Sequence, residues 1–329
     1  MGLDNLGKIV KEKLKGRSAV IVTDENVAPL YLERCTKSLT EEDIRVSHFI
    51  VPAGEESKSG KVWLELLNFM AEEQITRTDF VVALGGGVVG DLAGFAAATY
   101  LRGIEVVQIP TTLLAAVDSS VGGKTAINLN AGKNLAGAFH QPVIVLQDSS
   151  LLNTLSEDIW RDGMAEVIKY GIIKDRELFN SLKDPLWTKE NIDYVIERCV
   201  NAKKEFVEED EFDRGIRQML NFGHTIGHAV EKAGEYEVSH GCAVAKGMAA
   251  ISRISASKGW CTMETAEEIE NILLAYGFDL EIKYNKDTLI GMMLSDKKRK
   301  GECIDIVVSP EIGKCRLMRI TTEELGDFL

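Results

Sequence analysis

The sequence has no Cys-x-x-Cys pair, although it carries six cysteines, at positions 35, 199, 242, 261, 303 and 315. Such scatter excludes the disulfide framework of small secreted domains and fits reduced thiols. Long apolar runs are missing too. "LAGFAAATYL" is about half of the ~20 residues that a membrane-spanning helix needs. The first residues, "MGLDNLGKIVKEKLKG", lack the apolar core of a secretory signal and read as an amphipathic helix. A cytoplasmic location is the expectation. Positive charge is in deficit: 38 Lys and Arg against 51 Asp and Glu leave a net charge of −13. That balance opposes binding to nucleic acid or to an anionic membrane. An anionic small molecule would have to be met by a local cluster of Lys and Arg. Histidine is scarce, yet three of the five, His224, His228 and His240, fall within seventeen positions.

What is present is an ordinary globular balance, 45% apolar and 27% charged over 329 residues. At roughly 150 residues per domain this implies two domains. The halves differ in texture. In the first, "SAVIVT", "RVSHFIVP", "DFVVALGGG", "EVVQIPTT" and "PVIVLQD" alternate with helical patterns such as "KVWLELLNFMAEEQ". That repetition predicts an α/β domain over 1–150, a parallel sheet covered by helices. From 151 to 329 the apolar residues recur at three- and four-residue spacing, which predicts a mainly α-helical domain. "RGIRQMLNFGHTIGHAVEKAG" reads there as one helical stretch, and "CIDIVVSPEIGKCRLMRI" as a small hairpin. Ligands of parallel sheets bind beyond the carboxyl ends of the strands, and a cleft between domains is the default place for a site.

Residues 85 to 137 hold ten of the 29 glycines. Gly85, Gly87 and Gly90 satisfy G-x-G-x-x-G between a strand and a helix, where backbone N–H groups can face a phosphate. The pattern follows the third strand, not the first, and Glu105, about twenty positions on, opens a strand. It is therefore not a standard dinucleotide fingerprint, and a tight turn without a ligand is the competing reading. Further along, Thr111 and Thr112 close a strand, and Asp118, Lys124, Lys133 and Asn134 follow among glycines. Lysines in such loops can reach a buried anion.

His224 and His228 are four apart and share a helical face. "HTIGH" has Thr225 where a zinc protease would have its glutamate, so that reading is a poor one. A metal needs a third ligand. His240 is available, and so is Glu166 in "GMAEVIKYG", where Glu166 and Lys169 share a face. One carboxylate and two imidazoles suit a catalytic zinc-type ion. Spacing leaves open which two histidines bind, and helix packing with incidental histidines is the alternative.

Together, "GGGVVGDLAGFAAATYLRGI", "IPTTLLAAVDSSVGGKTAIN", "GKNLAGAFHQP", "GMAEVIKYG" and "LNFGHTIGHAVE" with the following "HG…GM" resemble the 3-dehydroquinate synthase family. The likeness runs from about Asp24 to residue 298. It implies a Rossmann-like N-terminal domain, a helical C-terminal domain, NAD and one divalent metal ion, Zn²⁺ or Co²⁺. The implied reaction turns a heptulosonate 7-phosphate into 3-dehydroquinate and phosphate, in the shikimate pathway. By resemblance the metal ligands are Glu166, His224 and His240, which leaves His228 facing the substrate as a proton-transfer partner. Substrate positions match Asp118, Lys124, Lys133, Asn134, Lys169, Lys203, Arg217, Asn221, His228 and Lys297 or Lys298. NAD positions match Asp24, Asn26, Glu55, Lys58, Gly86, Gly87, Val88, Gly90, Asp91, Thr111, Thr112 and Thr154, with Lys124 and Lys133 touching both ligands. The groups implied in the chemistry itself are His228, Lys124, Lys169, Asn134 and Arg102, the last reaching in from the neighbouring subunit of a homodimer. Cys242 stands where the family often has Glu. The rival expectations are another sugar-phosphate cyclase and a metal-dependent polyol dehydrogenase of related architecture.

Overall fold

The computed structural model describes residues 2–235, 237–294, 299–300 and 303–325, with side chains omitted at 299–300. The chain divides into two compact units, Met1–Leu155 and Ser156–Leu329.

The first unit contains α1 (Leu6–Lys13), β1 (Ser18–Asp24), α2 (Glu33–Thr40), β2 (Arg45–Val51), α3 (Gly60–Glu72), β3 (Phe80–Gly85), α4 (Gly87–Thr99), β4 (Glu105–Pro110), β5 (Lys124–Leu129), β6 (Gly132–Phe139) and β7 (Ile144–Val145). Five of these strands form one parallel sheet in the order β2-β1-β3-β4-β7. Side chains alternate across a strand, so the sheet sorts its own residues into two cores. Ile21, Phe80, Val82 and Val107 pack with Leu6, Val10 and Leu39 of α1 and α2. Val20, Val22, Val81 and Val106 pack with Leu66, Met70, Leu92 and Ala96 of α3 and α4. Both faces are covered, which is why β3 is buried throughout and reads as a continuous apolar run.

Two details of this unit differ from the sequence-based expectation. "PVIVLQD" contributes only Ile144–Val145 as a strand, although the N–H groups of Val143 and Leu146 also bond β4 carbonyls, those of Val106 and Gln108. The glycine-bearing stretch around Lys124 and Lys133 is not a loop. β5 and β6 pair antiparallel as a separate hairpin, with Lys124 opposite Phe139 and Leu129 opposite Gly132. Glycine and lysine there hid a regular ladder.

The second unit contains α5 (Glu157–Ile173), α6 (Arg176–Ser181), α7 (Pro185–Glu190), α8 (Ile192–Glu209), α9 (His224–Ala233), α10 (His240–Ser257), α11 (Met263–Ala275), α12 (Lys286–Leu294) and a small antiparallel sheet of β8 (Arg299–Lys300), β9 (Cys303–Glu311) and β10 (Lys314–Thr321). The expected terminal hairpin is β9 with β10, and β8 adds a third strand. Ser156 caps α5 by accepting from the Ile159 N–H at 3.4 Å. The helix is buried continuously from Gly163 to Ile173, so it forms the centre of this unit.

The stretch "RGIRQMLNFGHTIGHAVEKAG" is not one helix. A 3₁₀ segment, Ile216–Asn221, ends before Gly223, whose φ of +77° turns the chain before α9 begins at His224. A Cβ at Gly223 would lie 2.9 Å from the Met248 nitrogen and 2.9 Å from the Val244 carbonyl. The left-handed turn and the close approach to α10 both require glycine.

Asp79 ties the amino ends of two strands together. Its Oδ1 accepts from the N–H groups of Arg17 and Ser18 at 3.2 and 2.9 Å, and its Oδ2 from the N–H and hydroxyl of Thr76 at 2.8 and 2.7 Å. Burial alone would raise its pKa, but these donors outweigh it and hold the carboxyl below the usual value. A depressed folded pKa stabilises the fold above the unfolded value of ~3.9, and that contribution is lost as pH falls through the folded value. Asp79→Ala should therefore cost about 2–4 kcal/mol in urea unfolding at pH 7. The difference from wild type should shrink in acid as the wild-type carboxylate is titrated.

Candidate metal centre and strand-edge cluster

Three side chains from three helices of the second unit converge. Glu166 lies on α5, while His224 and His240 are the first residues of α9 and α10. Glu166 Oε1 is 3.3 Å from His224 Nε2 and 3.3 Å from His240 Nε2. The rings of His224 and His240 are 5.3 Å apart between centroids. Donors each ~2.1 Å from a tetrahedral ion lie roughly 3.4 Å from one another, so these spacings are those of a ligand set.

The chemistry of the donors fits as well. Glu166 is 1% exposed, and its Oε1 is fully buried with no hydrogen-bond partner. Its other oxygen, Oε2, is held by Lys169 Nζ one turn along α5. Burial would raise the Glu166 pKa, but the Lys169 ammonium and the two imidazoles hold it well below the usual carboxylate range. Burial pushes His224 down to about 4, which leaves it neutral. Its Nδ1 faces the Phe222 carbonyl at 3.1 Å, so the proton sits there and Nε2 offers its lone pair. Burial would also lower His240, but Glu166 and Glu231 outweigh it and raise it to about 10, so a cation at Nε2 must displace a proton there. A buried, hydrogen-bond-starved carboxylate oxygen flanked by two imidazole nitrogens fits a divalent cation with an open coordination position.

His228 stands beside this set and not in it. Its ring is 5.5 Å from that of His224 and 6.2 Å from that of His240. It belongs to a second cluster of convergent donors with Glu231 and His240. Three expected anion-binding cations are buried in the same unit: Lys169 at 1%, Lys203 at 6% and Arg217 at 1% exposure. Arg217 is anchored by donating from Nη1 to the Glu211 carbonyl at 2.6 Å. Asn221 closes the 3₁₀ segment, donating to the Gln218 carbonyl at 3.0 Å. Lys297 and Lys298 lie outside the described residues.

In the first unit the expected residues gather at the carboxyl edge of the sheet. Asp24 ends β1 and accepts from the N–H groups of Asn26 and Val27 at 2.9 and 3.1 Å. Gly86, Gly87, Val88 and Gly90 run from β3 into α4. Thr111 and Thr112 follow β4, and the buried hydroxyls of Thr111 and Ser120 have no hydrogen-bond partner. Thr112 Oγ1 caps the turn that contains Asp118 by accepting from Ala115 N at 3.2 Å. Of the three motif glycines, Gly90 serves packing: a Cβ there would meet Gln108 Oε1 at 2.9 Å, and Gln108 Nε2 donates to its carbonyl at 3.1 Å. Free N–H groups at a helix start and buried unsatisfied hydroxyls fit a dinucleotide's phosphates and ribose.

Glu55, Lys58, Asp91 and Asn134 are knitted together. Lys58 Nζ is 2.6 Å from Asp91 and 3.7 Å from Glu55. Asn128 Nδ2 donates to Glu55 Oε1 at 2.7 Å, and Asn128 Oδ1 accepts from Asn134 N at 2.9 Å. Asn128 was not singled out in the sequence, though its place in "KTAIN" was visible. Lys124 and Lys133 stand at opposite ends of the β5–β6 hairpin, ~13 Å apart along the strand. Thr154 Oγ1 lies 2.8 Å from the Tyr31 hydroxyl. Arg102 is exposed, with φ of 71° next to Leu101 at 49°. Two successive left-handed non-glycine residues cost about 1–3 kcal/mol each.

The geometry separates the two histidine sets. Ala at Glu166, His224 or His240 should abolish stoichiometric Zn²⁺ or Co²⁺ binding, whereas His228→Ala should still bind one equivalent. Metal analysis after gel filtration measures this. Full binding by His224→Ala would overturn the assignment.

The model of "3-dehydroquinate synthase N-terminal" matches residues 48–162, and that of "3-dehydroquinate synthase C-terminal" matches residues 163–299. The 3-dehydroquinate synthase of Clostridium acetobutylicum is 44% identical over 332 residues, covering 99% of this chain and 93% of the relative. The solved structure of 2-epi-5-epi-valiolone synthase from Streptomyces hygroscopicus, with NAD+ and Zn²⁺ bound, aligns at a TM-score of 0.87 and 27% identity, covering 94% of this chain and 89% of that one. 2-Deoxy-scyllo-inosose synthase, complexed with carbaglucose-6-phosphate, NAD+ and Co²⁺, shares the fold at a TM-score of 0.88 and 24% identity, covering 99% and 95%. With both of its halves matched in order and a relative this similar along its whole length, the chain belongs to the 3-dehydroquinate synthase family.

Proposed function

We propose that this chain is a 3-dehydroquinate synthase that uses NAD and one divalent ion to convert a heptulosonate 7-phosphate into 3-dehydroquinate and phosphate. The reading assigns NAD to residues 1–150 and the metal and substrate to 151–329. The observation that carries it is the convergence of Glu166, His224 and His240 in a chain of this family. When bound, the ion would polarise substrate oxygens as a Lewis acid, and NAD would take and return a hydride.

The rest falls to the chain's own side chains. Lys169, Lys203 and Arg217, buried in an acidic protein, oppose the substrate's carboxylate and phosphate. Net charge repels an anion at long range, but a few ångströms of low-dielectric contact dominate over screened distant charge. Lys169 has a second task, since its grip on Glu166 Oε2 leaves Oε1 for the ion. His228, half-buried beside the ligand set, holds or moves a proton on its imidazole during phosphate departure. Asp118, Asn134, Lys124 and Lys133 complete the polar contacts in this reading, and the exposed Arg102 serves a second copy in a homodimer. The solved 2-epi-5-epi-valiolone synthase, which holds NAD+ with Zn²⁺, supports the cofactor pair. Among the described residues no helix is long and apolar enough to cross a membrane.

Loss of phosphate and ring closure leave the substrate's oxidation level unchanged overall. Purified protein should therefore release phosphate from the heptulosonate phosphate with only catalytic NAD, and a chelator should stop it. NADH accumulating in step with substrate would identify a polyol dehydrogenase instead. Turnover confined to other sugar phosphates would identify another cyclase.

A further inference from the structure

The two imidazoles of the proposed metal set are held by different means. His224 Nδ1 faces a backbone carbonyl, that of Phe222. His240 Nδ1 faces a carboxylate, Glu231 Oε2, at 3.6 Å, while its Nε2 faces Glu166 Oε1 at 3.3 Å. Glu231 lies on α9, on the helical face of His224 and His228, and is 6% exposed. A buried carboxylate is expensive to desolvate and persists where it has a fixed partner.

The backbone of His240 is already fixed. Asp162 Oδ1, one turn before Glu166 on α5, accepts from the N–H groups of Gly241 and Cys242 at 2.6 and 3.3 Å. What that cap leaves free is rotation of the imidazole ring. We infer that Glu231 is a positioning residue that keeps the proton on His240 Nδ1 and so turns the Nε2 lone pair to the cation. The inference rests on the proposed metal set.

His228, Glu231 and His240 could also gather around an ion themselves. The two ring nitrogens of an imidazole point apart and the neutral ring has one in-plane lone pair, so a single ion takes Nε2 or Nδ1, not both. An ion at Nδ1 would put the ring proton on Nε2, toward Glu166 Oε1, but would leave the His224 Nε2 lone pair facing that same carboxylate oxygen at 3.3 Å with nothing between them. That cost favours Nε2 as the donor and Glu231 as the group behind it. Partners of this kind typically change metal affinity 10- to 100-fold.

The test is Zn²⁺ and Co²⁺ affinity by chelator competition, with the visible spectrum of the Co²⁺ form. Glu231→Met fills similar volume without an acceptor and should weaken binding about 10- to 100-fold with a shifted Co²⁺ spectrum. Glu231→Gln keeps an oxygen for Nδ1–H and should recover most of the affinity. Wild-type affinity and spectra in both variants would overturn the inference and leave the metal set standing. Equal weakening in both, with lower thermal stability of the metal-free chain, would also overturn it by pointing to packing. Loss of all binding in both variants while His224→Ala binds normally would place the ion on the other cluster, and both readings would fall.

Discussion

A carboxylate oxygen buried without a hydrogen bond is the constraint on which the second unit turns. Leaving such a group unpartnered costs on the order of 1–3 kcal/mol, and more when it is charged. Glu166 Oε1 carries that cost at the centre of its unit, on a helix buried along its C-terminal two-thirds. What faces it is two imidazole nitrogens at equal distance. Lys169 satisfies only the other oxygen, so the pair of groups on α5 behaves as an oriented donor and not as a closed salt bridge. A closed pair would stabilise the helix better and could bind nothing.

Much of the surrounding architecture serves to bring two helix starts to that oxygen. Gly223 bends the chain ahead of α9, and only a residue without a Cβ permits the bend against Met248 and Val244. Asp162 holds the start of α10 from the same helix that carries Glu166. Position 162 and position 166 are one turn apart, so a single face of α5 sets both a candidate ligand and the backbone of another. Fixing ligands on helices before the ion arrives reduces the ordering cost of binding it.

The sheet was legible from β-branched runs alternating with helical patterns, because β1, β3 and β4 are buried on both faces and are mostly apolar. The β5–β6 hairpin was not, since glycine and lysine carry no strand signal and its pairing is an antiparallel contact local to the chain. The break at Gly223 was hidden for a related reason. Apolar spacing continues through "QMLNFGHTIGH", and only the packing against α10 requires the turn. Glu166, His224, His228 and His240 could be named as candidate donors from residue type, but spacing alone could not say which two histidines bind, and it was the resemblance that named His224 and His240. The position of α10, a tertiary fact, brings His240 as well as His224 to 3.3 Å from Glu166 Oε1. Glu231 was missed although it lies three residues from His228 on a face already singled out, because attention to ligands passes over the groups that hold them.

The sign of the electrostatics also needed the fold. A net charge of −13 describes the surface potential seen from afar, whereas a bound anion sees the nearest groups. Lys169, Lys203 and Arg217 are each buried within one helical unit, where water screens charge poorly. Each of these cations is costly to bury, and Glu166 offsets only part of that cost through Lys169. An ion at Glu166 would withdraw part of that compensation and leave the cations more strongly disposed to an anion. Metal and anionic substrate would then favour each other's binding without direct contact between them, as linkage requires.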